Sequence, residues 1–314
     1  MKTIILVDGN ALMHRSYHGV NKGFIPVWKG MKIGMVYGFG SMLLHIIQHF
    51  RPDTIIVTFD TKEKTFRHEA DANYKAQREK APDDFYVQIP YIYELLESFE
   101  IPVLKLPGFE SDDLIGTLAH NADKKEHDVK ILSGDLDFLQ LISENVSLVR
   151  FNGRIEQQIP YGPKETLARY GIEPKQMIDF KAIVGDSSDN FKGIVGIGPK
   201  TATNLLQEFG TLDKIYEHVE ELAPKVRDKF IEQKDQALHC KMLATIKTDV
   251  PIEYDLDAKF ELCPDKTLAF LEKMEFRSLV NRFHVLNRKL AQPQKIEQKK
   301  QSKKEPNEEQ LSMF

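Results

Sequence analysis

Three short apolar runs in this chain each end in acid. "TIILVD" stops at Asp8, "TIIVTFD" at Asp60, and "VKILSGDLD" at Asp135 and Asp137. Each run is rich in Ile and Val and bounded by turn residues, the pattern of a strand buried on both faces. Segments of helical period separate them, "GFGSMLLHIIQHF" before the second and "DDLIGTLAHNADKKE" before the third. The alternation predicts an α/β fold with a parallel sheet flanked by helices. In such sheets ligands lie beyond the carboxyl ends of the strands, where these four acids would stand. Glu110, Asp112 and Asp113, in "GFESDDLIG", follow another candidate strand, "IPVLKL", and would join them. Acids also suit the first turn of a helix, where they meet its free N–H groups and dipole, so the crowding has a structural reading beside the functional one.

With 314 residues, 41% apolar and 10% aromatic, the chain can bury a substantial core, and its length predicts two folded units. Asp8 interrupts the N-terminal apolar run, and no stretch approaches the ~18 apolar residues of a membrane span. The expected location is the cytoplasm, without a membrane partner and as a monomer. Cys240 and Cys263 have no metal-type spacing, so neither a disulfide framework nor a cysteine-based zinc site is expected. The net charge of -4 hides an uneven distribution. From Arg288 onward 7 basic residues face 4 acidic ones, leaving 36 against 43 before it. Local clusters therefore say more than the overall charge.

Past the Asn152-Gly153 pair, a predicted hairpin turn, the pattern becomes mainly helical through about residue 287. The organisation expected is residues 1–170 as the α/β unit, 171–287 as a helical unit, and 288–314 as a disordered tail rich in Lys, Gln and Glu. No internal repeat is evident. The helical unit opens with "GDSSDNFKGIVGIGPKTA", which sets Asp186 and Asp189 ahead of a glycine-rich turn. Gly193, Gly196 and Gly198 permit close backbone approach, Pro199 suits a first helical turn, and Lys200 adds charge, a combination suited to a phosphate.

Asp8, Asp60, Glu110, Asp112, Asp113, Asp135, Asp137, Asp186 and Asp189 are too many for one acid-base pair. Gathered without counter-charge they would repel one another. Hard divalent cations, Mg²⁺ or Mn²⁺, relieve that repulsion through oxygen ligands. Two such ions ~3.5 to 4 Å apart can activate water and support a departing oxygen in phosphodiester hydrolysis. The basic counterpart is "KTFRHEADANYKAQREKAPDDF", where Arg67, Lys75 and Arg78 accompany Tyr74. Cations hold phosphates and an aromatic ring stacks on bases, which suits single-stranded or frayed nucleic acid.

"LVDGNALMHRSYH", "VYGF", "VTFD", "FRHEADANYKAQR", "GFESDDLIGTLA", "ILSGDLDFLQL", "GDSSDN" and "GIVGIGPKTA" follow in the order found in the 5′ nucleases, which include the N-terminal domain of bacterial DNA polymerase I and the flap endonucleases. The resemblance runs from about residue 2 to residue 285. It implies a PIN-like nuclease domain with a helical arch at about residues 62–90, followed by a helix-three-turn-helix domain that grips duplex DNA. It also implies that Asp8, Asp60, Glu110, Asp112 and Asp113 hold one metal, and Asp135, Asp137, Asp186 and Asp189 a second. Lys75 and Arg78 would contact the scissile phosphate, Tyr74 would stack on substrate, and Arg15 would lie near the phosphates. The loop "GIVGIGPK" would hold a K⁺ through its carbonyls. Ile33 departs from the pattern, standing where Thr is common.

The expected activity is a stand-alone 5′ to 3′ exonuclease and 5′ flap endonuclease for DNA or RNA-DNA ends, in primer removal or repair. A polymerase is not expected, since only the tail follows the nuclease region. Two alternatives stay open at this level: a branched-DNA-binding adaptor that does not cut, and a PIN-type ribonuclease. The final residues, Gln310, Leu311, Ser312, Met313 and Phe314, resemble the pentapeptide by which bacterial replication proteins bind the sliding clamp. Leu311, Met313 and Phe314 would enter an apolar pocket while Gln310 forms hydrogen bonds.

Overall fold

The computed structural model describes residues 1–19, 25–151 and 159–291. Strand β1 (Thr3–Asp8) runs directly into α1 (Gly9–Gly19), and a two-stranded ribbon of β2 (Val27–Trp28) and β3 (Met31–Lys32) precedes α2 (Gly34–Phe50). There follow β4 (Thr54–Thr58), α3 (Phe66–Ala70), α4 (Asp83–Tyr86), α5 (Ile89–Ser98), β5 (Val103–Leu104), α6 (Ser111–Asp123), β6 (Asp128–Ser133) and β7 (Val146–Arg150). The rest is helical: α7 (Pro163–Tyr170), α8 (Met177–Val184), α9 (Pro199–Phe209), α10 (Leu212–Glu217), α11 (Pro224–Glu232), α12 (Lys234–Ala244), α13 (Pro264–Lys273) and α14 (Arg277–Leu290).

The main sheet has the order β5-β4-β1-β6-β7, and all four pairings are parallel. From the central β1 the chain builds outward through β4 and β5, then returns to build the other way through β6 and β7. The reversal falls between β1 and β6, and a crevice at such a point is where open parallel sheets bind ligands. Asp8 ends β1 at that point, and Asp135 and Asp137 follow β6 across it.

Both faces of the sheet are covered, which is why its strands read as continuous apolar runs. Ile4, Leu6 and Ile56 pack with Ile115 and Leu118 of α6 and with Ile183, Leu206 and Leu243 of the helical region. Ile5, Val7, Ile55 and Val57 face the opposite way, toward Leu12, Phe39, Leu43 and Leu95. The helical region thus shares a core with the sheet.

The expected helical unit 171–287 is divided in space. Helices α13 and α14 pack on the α2 and α5 side, where Phe270, Leu279 and Phe283 enter the core containing Phe39 and Leu95. Trp28 Nε1 donates to the Lys273 carbonyl (2.7 Å), and Thr267 Oγ1 to that of Ser98 (2.8 Å). Leu279, Phe283 and Leu286 recur at helical spacing and form a stripe that needs cover. The hairpin expected at Asn152-Gly153 and the terminal pentapeptide lie outside the described residues; the chain pairs again with β7 through Leu148 and Tyr161. Among the described residues no helix is long and apolar enough to cross a membrane.

Candidate active site

A cavity of about 1030 Å³ opens at the carboxyl edge of the sheet, lined by Asp8, Asp60, Asp112, Asp135, Asp137 and Asp186 together with Lys75, Arg78 and Lys181. Asp8 is held on both sides: its Oδ1 accepts from the Ala11 N–H at the start of α1 (3.0 Å), and its Oδ2 from Ser133 Oγ (2.7 Å). Burial pushes its carboxyl up to about 6 against the pull of those hydrogen bonds, and the charges of Asp60 and Asp135 push the same way. Asp60 accepts from the Ser111 N–H (2.7 Å) and from Asn10 Nδ2, and burial raises its pKa as well. Burial, with the Asp8 charge next, raises Asp112 far above the carboxylate range.

Across the crevice, Lys181 on α8 bridges Asp137 and Asp186, with 2.6 Å between its Nζ and Asp186 Oδ2. Burial and the neighbouring Asp135 push Asp137 up to about 8. At Asp186 the effect of burial is outweighed by Lys181 and by hydrogen bonds from Ser188, which bring its carboxyl down to about 2. Lys181, Asn10 and Ser133 were not singled out by sequence. Lys181 carried a faint signal, lying on the helix just before the acid-bearing "GDSSDN" loop.

The remaining acids form a rear wall. Glu110 receives Lys75 Nζ (2.9 Å) on Oε1, and Tyr74 Oη and Arg67 Nη1 (3.1 Å each) on Oε2. Asp189 receives Arg78 Nη2 (2.7 Å) and Tyr74 Oη (3.1 Å). Tyr74 is thereby buried at 3% exposure, with its hydroxyl committed, and is not placed to stack on substrate as expected. Arg67, at 2% exposure, is likewise no substrate contact. Its guanidinium donates to Glu110, to both oxygens of Asp113 and to the carbonyls of Leu243 and Thr245.

Asp113 corrects a further expectation. Its two oxygens accept from Arg67 (2.8 Å each), from the Glu110 N–H (3.1 Å) and from the Lys247 N–H (2.9 Å), and the residue is fully buried. Successive residues on a helix point about 100° apart, and at the start of α6 Asp112 lines the crevice while Asp113 turns to Arg67 and the Lys247 N–H.

Residues 62–90, expected as a helical arch, contain α3 and α4 joined by turns. Asp71 starts the break by accepting from the Asn73 N–H (2.8 Å), and Lys75 adopts φ +55° while its N–H donates to the Asp189 carbonyl (3.1 Å). That geometry sends the Lys75 and Arg78 side chains over the acids. Arg78 keeps 52% of its side chain exposed. Arg15, on α1, is half-buried and outside the cavity lining.

In the glycine-rich turn, Gly193 (φ +61°) passes so close to the end of α8 that an added Cβ would lie 2.4 Å from the Gly185 nitrogen. Gly198 caps α9, and Lys200 is exposed in its first turn. In the loop expected to hold a K⁺, three carbonyls already have protein donors. Its Ile194 carbonyl accepts from the Ile197 N–H (3.0 Å), that of Val195 from Gln233 Nε2 (3.4 Å), and that of Gly196 from Lys229 Nζ (2.8 Å).

Among the described residues no three carboxylates are already drawn together as a metal-ligand set; Lys75 pairs with Glu110, and Lys181 with Asp137 and Asp186. The donor chemistry nevertheless fits hard cations. Burial raises the pKa values of Asp8, Asp60, Asp112 and Asp137, and neighbouring carboxylates add to the rise, so oxygen ligands for a cation are gathered at the crevice.

Residues 3–171 match the family model "5′–3′ exonuclease, N-terminal resolvase-like domain", and residues 172–267 match "5′–3′ exonuclease, C-terminal SAM fold". The chain belongs to the 5′–3′ exonuclease family. This family membership makes it a nuclease, built from a resolvase-like PIN domain and a SAM-like helical domain. Among curated relatives, DNA polymerase I of Bacillus subtilis (strain 168) is 36% identical over 299 residues, covering 94% of this chain and 34% of that protein. Thermostable DNA polymerase I of Thermus aquaticus is 37% identical over 283 residues, covering 90% and 33%. This 5′–3′ exonuclease chain thus spans about a third of the length of the curated relatives it matches. A pseudo-enzyme–product complex of the bacteriophage T5 flap endonuclease with DNA and metal ions has the same fold, with a TM-score of 0.64 at 20% identity over 93% of this chain and all of that one.

Proposed function

We propose that the protein is a divalent-metal-dependent 5′ to 3′ exonuclease and 5′ flap endonuclease acting on DNA or RNA-DNA ends. The observation that carries this reading is the juxtaposition, in one cavity, of Asp8, Asp60, Asp112, Asp135, Asp137 and Asp186 with the cations of Lys75 and Arg78. Asp8, Asp60 and Asp112 on one side and Asp135, Asp137 and Asp186 on the other would hold two Mg²⁺ or Mn²⁺ ions. Such ions supply water activation and stabilisation of the departing oxygen. Glu110 and Asp189 act from behind, as the places where Lys75 and Arg78 rest without substrate. A phosphodiester entering the cavity offers those two side chains an anionic partner, so they exchange carboxylate for phosphate and stabilise charge as it develops. The glycine-rich turn, with Gly193, Gly196, Gly198 and Lys200, supports a grip on the duplex backbone.

Cleavage of a labelled 5′-flap duplex, with and without Mg²⁺, tests the proposal. Asp135→Asn combined with Asp137→Asn is expected to abolish product. Full activity in that variant, or in chelator, refutes it, and comparing RNA with DNA flaps separates the ribonuclease reading. Action in primer removal or repair, with Gln310, Leu311, Met313 and Phe314 docking on a sliding clamp, belongs to the same proposal. Retention on immobilised clamp should fall when residues 310–314 are deleted, and equal retention counts against the motif.

A further inference from the structure

The glycine-rich turn already contains a cation. Lys229, projecting from α11, places Nζ 2.8 Å from the Gly196 carbonyl, about the distance at which an oxygen holds either an ammonium or a K⁺ ion. Gly196 adopts φ +86°, which favours glycine, and an added Cβ would lie 2.2 Å from that nitrogen and displace the end of the Lys229 side chain. Gln233, which follows α11, braces the same loop by accepting from the Val195 N–H (2.8 Å) and donating to the Val195 carbonyl (3.4 Å). The carbonyls of Ile194 and Gly198 accept from the N–H groups of Ile197 and Ala202 (3.0 Å each). Four loop carbonyls therefore have protein donors, and a free monovalent ion at Gly196 would face the Lys229 charge at close range.

We propose that the Lys229 ammonium, seated on the Gly196 carbonyl, is the built-in monovalent cation of this loop and directs its charge to a phosphate of bound duplex DNA, so that the grip does not depend on K⁺. An ammonium has three N–H donors, and one engages Gly196. Lys229 is only half-buried, so its head remains within reach of solvent and ligand. The inference rests on the reading of the protein as a flap-binding nuclease, but neither Gly196 nor Lys229 lines the cavity that gathers the acids.

Fluorescence anisotropy of a 5′-flap duplex, in EDTA to prevent cleavage, separates the two ideas. Wild-type affinity should agree within about twofold between KCl and NaCl at equal concentration. Lys229→Met should bind about tenfold more weakly in NaCl, with the slope of log affinity against log salt reduced by about 0.9, as for one lost phosphate contact. Gly196→Ala, which evicts the ammonium, should weaken binding comparably, and the double variant should be little worse than either single one. Thermal melting of each variant checks folding, and the KCl comparison on the wild type needs no variant. Wild-type binding at least fivefold tighter in KCl, or unchanged binding by folded Lys229→Met, overturns the inference while leaving the nuclease reading intact. Absence of flap binding by the wild type overturns both.

Discussion

Arg67 grips Asp113 with both terminal nitrogens, at 2.8 Å each, in a site from which water is excluded. The same guanidinium reaches the carbonyls of Leu243 and Thr245, so this pair joins the first turn of α6 to the end of α12. Removing one partner of a buried pair leaves the other charge without compensation, at a cost of about 3–5 kcal/mol. Arg67→Met should lower the urea midpoint accordingly, which equilibrium denaturation measures.

Asp113→Asn separates a clamp from a metal ligand. With every oxygen of Asp113 engaged by protein donors, the variant should lose stability yet bind as many Mn²⁺ ions as the wild type in isothermal titration calorimetry. Asp112→Asn should show the reverse, weaker Mn²⁺ binding with little loss of stability. A reduced stoichiometry for Asp113→Asn alone would return it to the ligand set.

Lys75→Ala and Arg78→Ala test the cations over the basin. Each removes a group offered to the phosphate, so single-turnover cleavage of a flap should slow by about 10²-fold or more, in the range of a lost electrostatic stabiliser. Glu110 keeps Arg67 and Tyr74 as donors when Lys75 is removed, so melting temperature should change little. A large fall in melting temperature with unaltered rate would make Lys75 a structural residue instead.

Asp8 sets a pH dependence whose sign follows from its raised pKa of about 6. Its unfolded value lies near ~3.9, so between those limits the native state holds more protons than the unfolded one, and stability falls as pH rises. The loss is on the order of 3 kcal/mol for this group, and Asp60 and Asp112 add in the same direction. In chelator the melting temperature should therefore decline from about pH 4 to 7, and Mg²⁺ should reduce the decline. A flat profile in chelator would mean that the acids are already compensated.

Gly193→Ala should destabilise the junction between α8 and the glycine-rich turn. Positive φ alone costs an Ala about 1 kcal/mol, and the Cβ would also meet backbone at Gly185 and Ile183. A total above about 2 kcal/mol is expected from denaturant unfolding, and a neutral result would show that the turn can shift aside.

Apolar runs and the acids that end them made the parallel sheet, its ligand-bearing edge and the identities of most basin carboxylates legible along the chain. Strand period and turn chemistry are local, so a segment of 6 to 10 residues already contains them. Which neighbour faces the basin was a different matter. Asp112 and Asp113 are adjacent carboxylates, and only the arrival of Arg67 and the Lys247 N–H turns one of them away. Tyr74, a stacking candidate by composition, lost that role to Glu110 and Asp189, while Lys181 gained one because α8 places it between Asp137 and Asp186. The stripe on α14 called for a cover without naming the α2 side of the sheet. Periodicity shows that a face will be buried, but its partners lie up to hundreds of residues away, and only the folded chain brings them within hydrogen-bonding or packing distance.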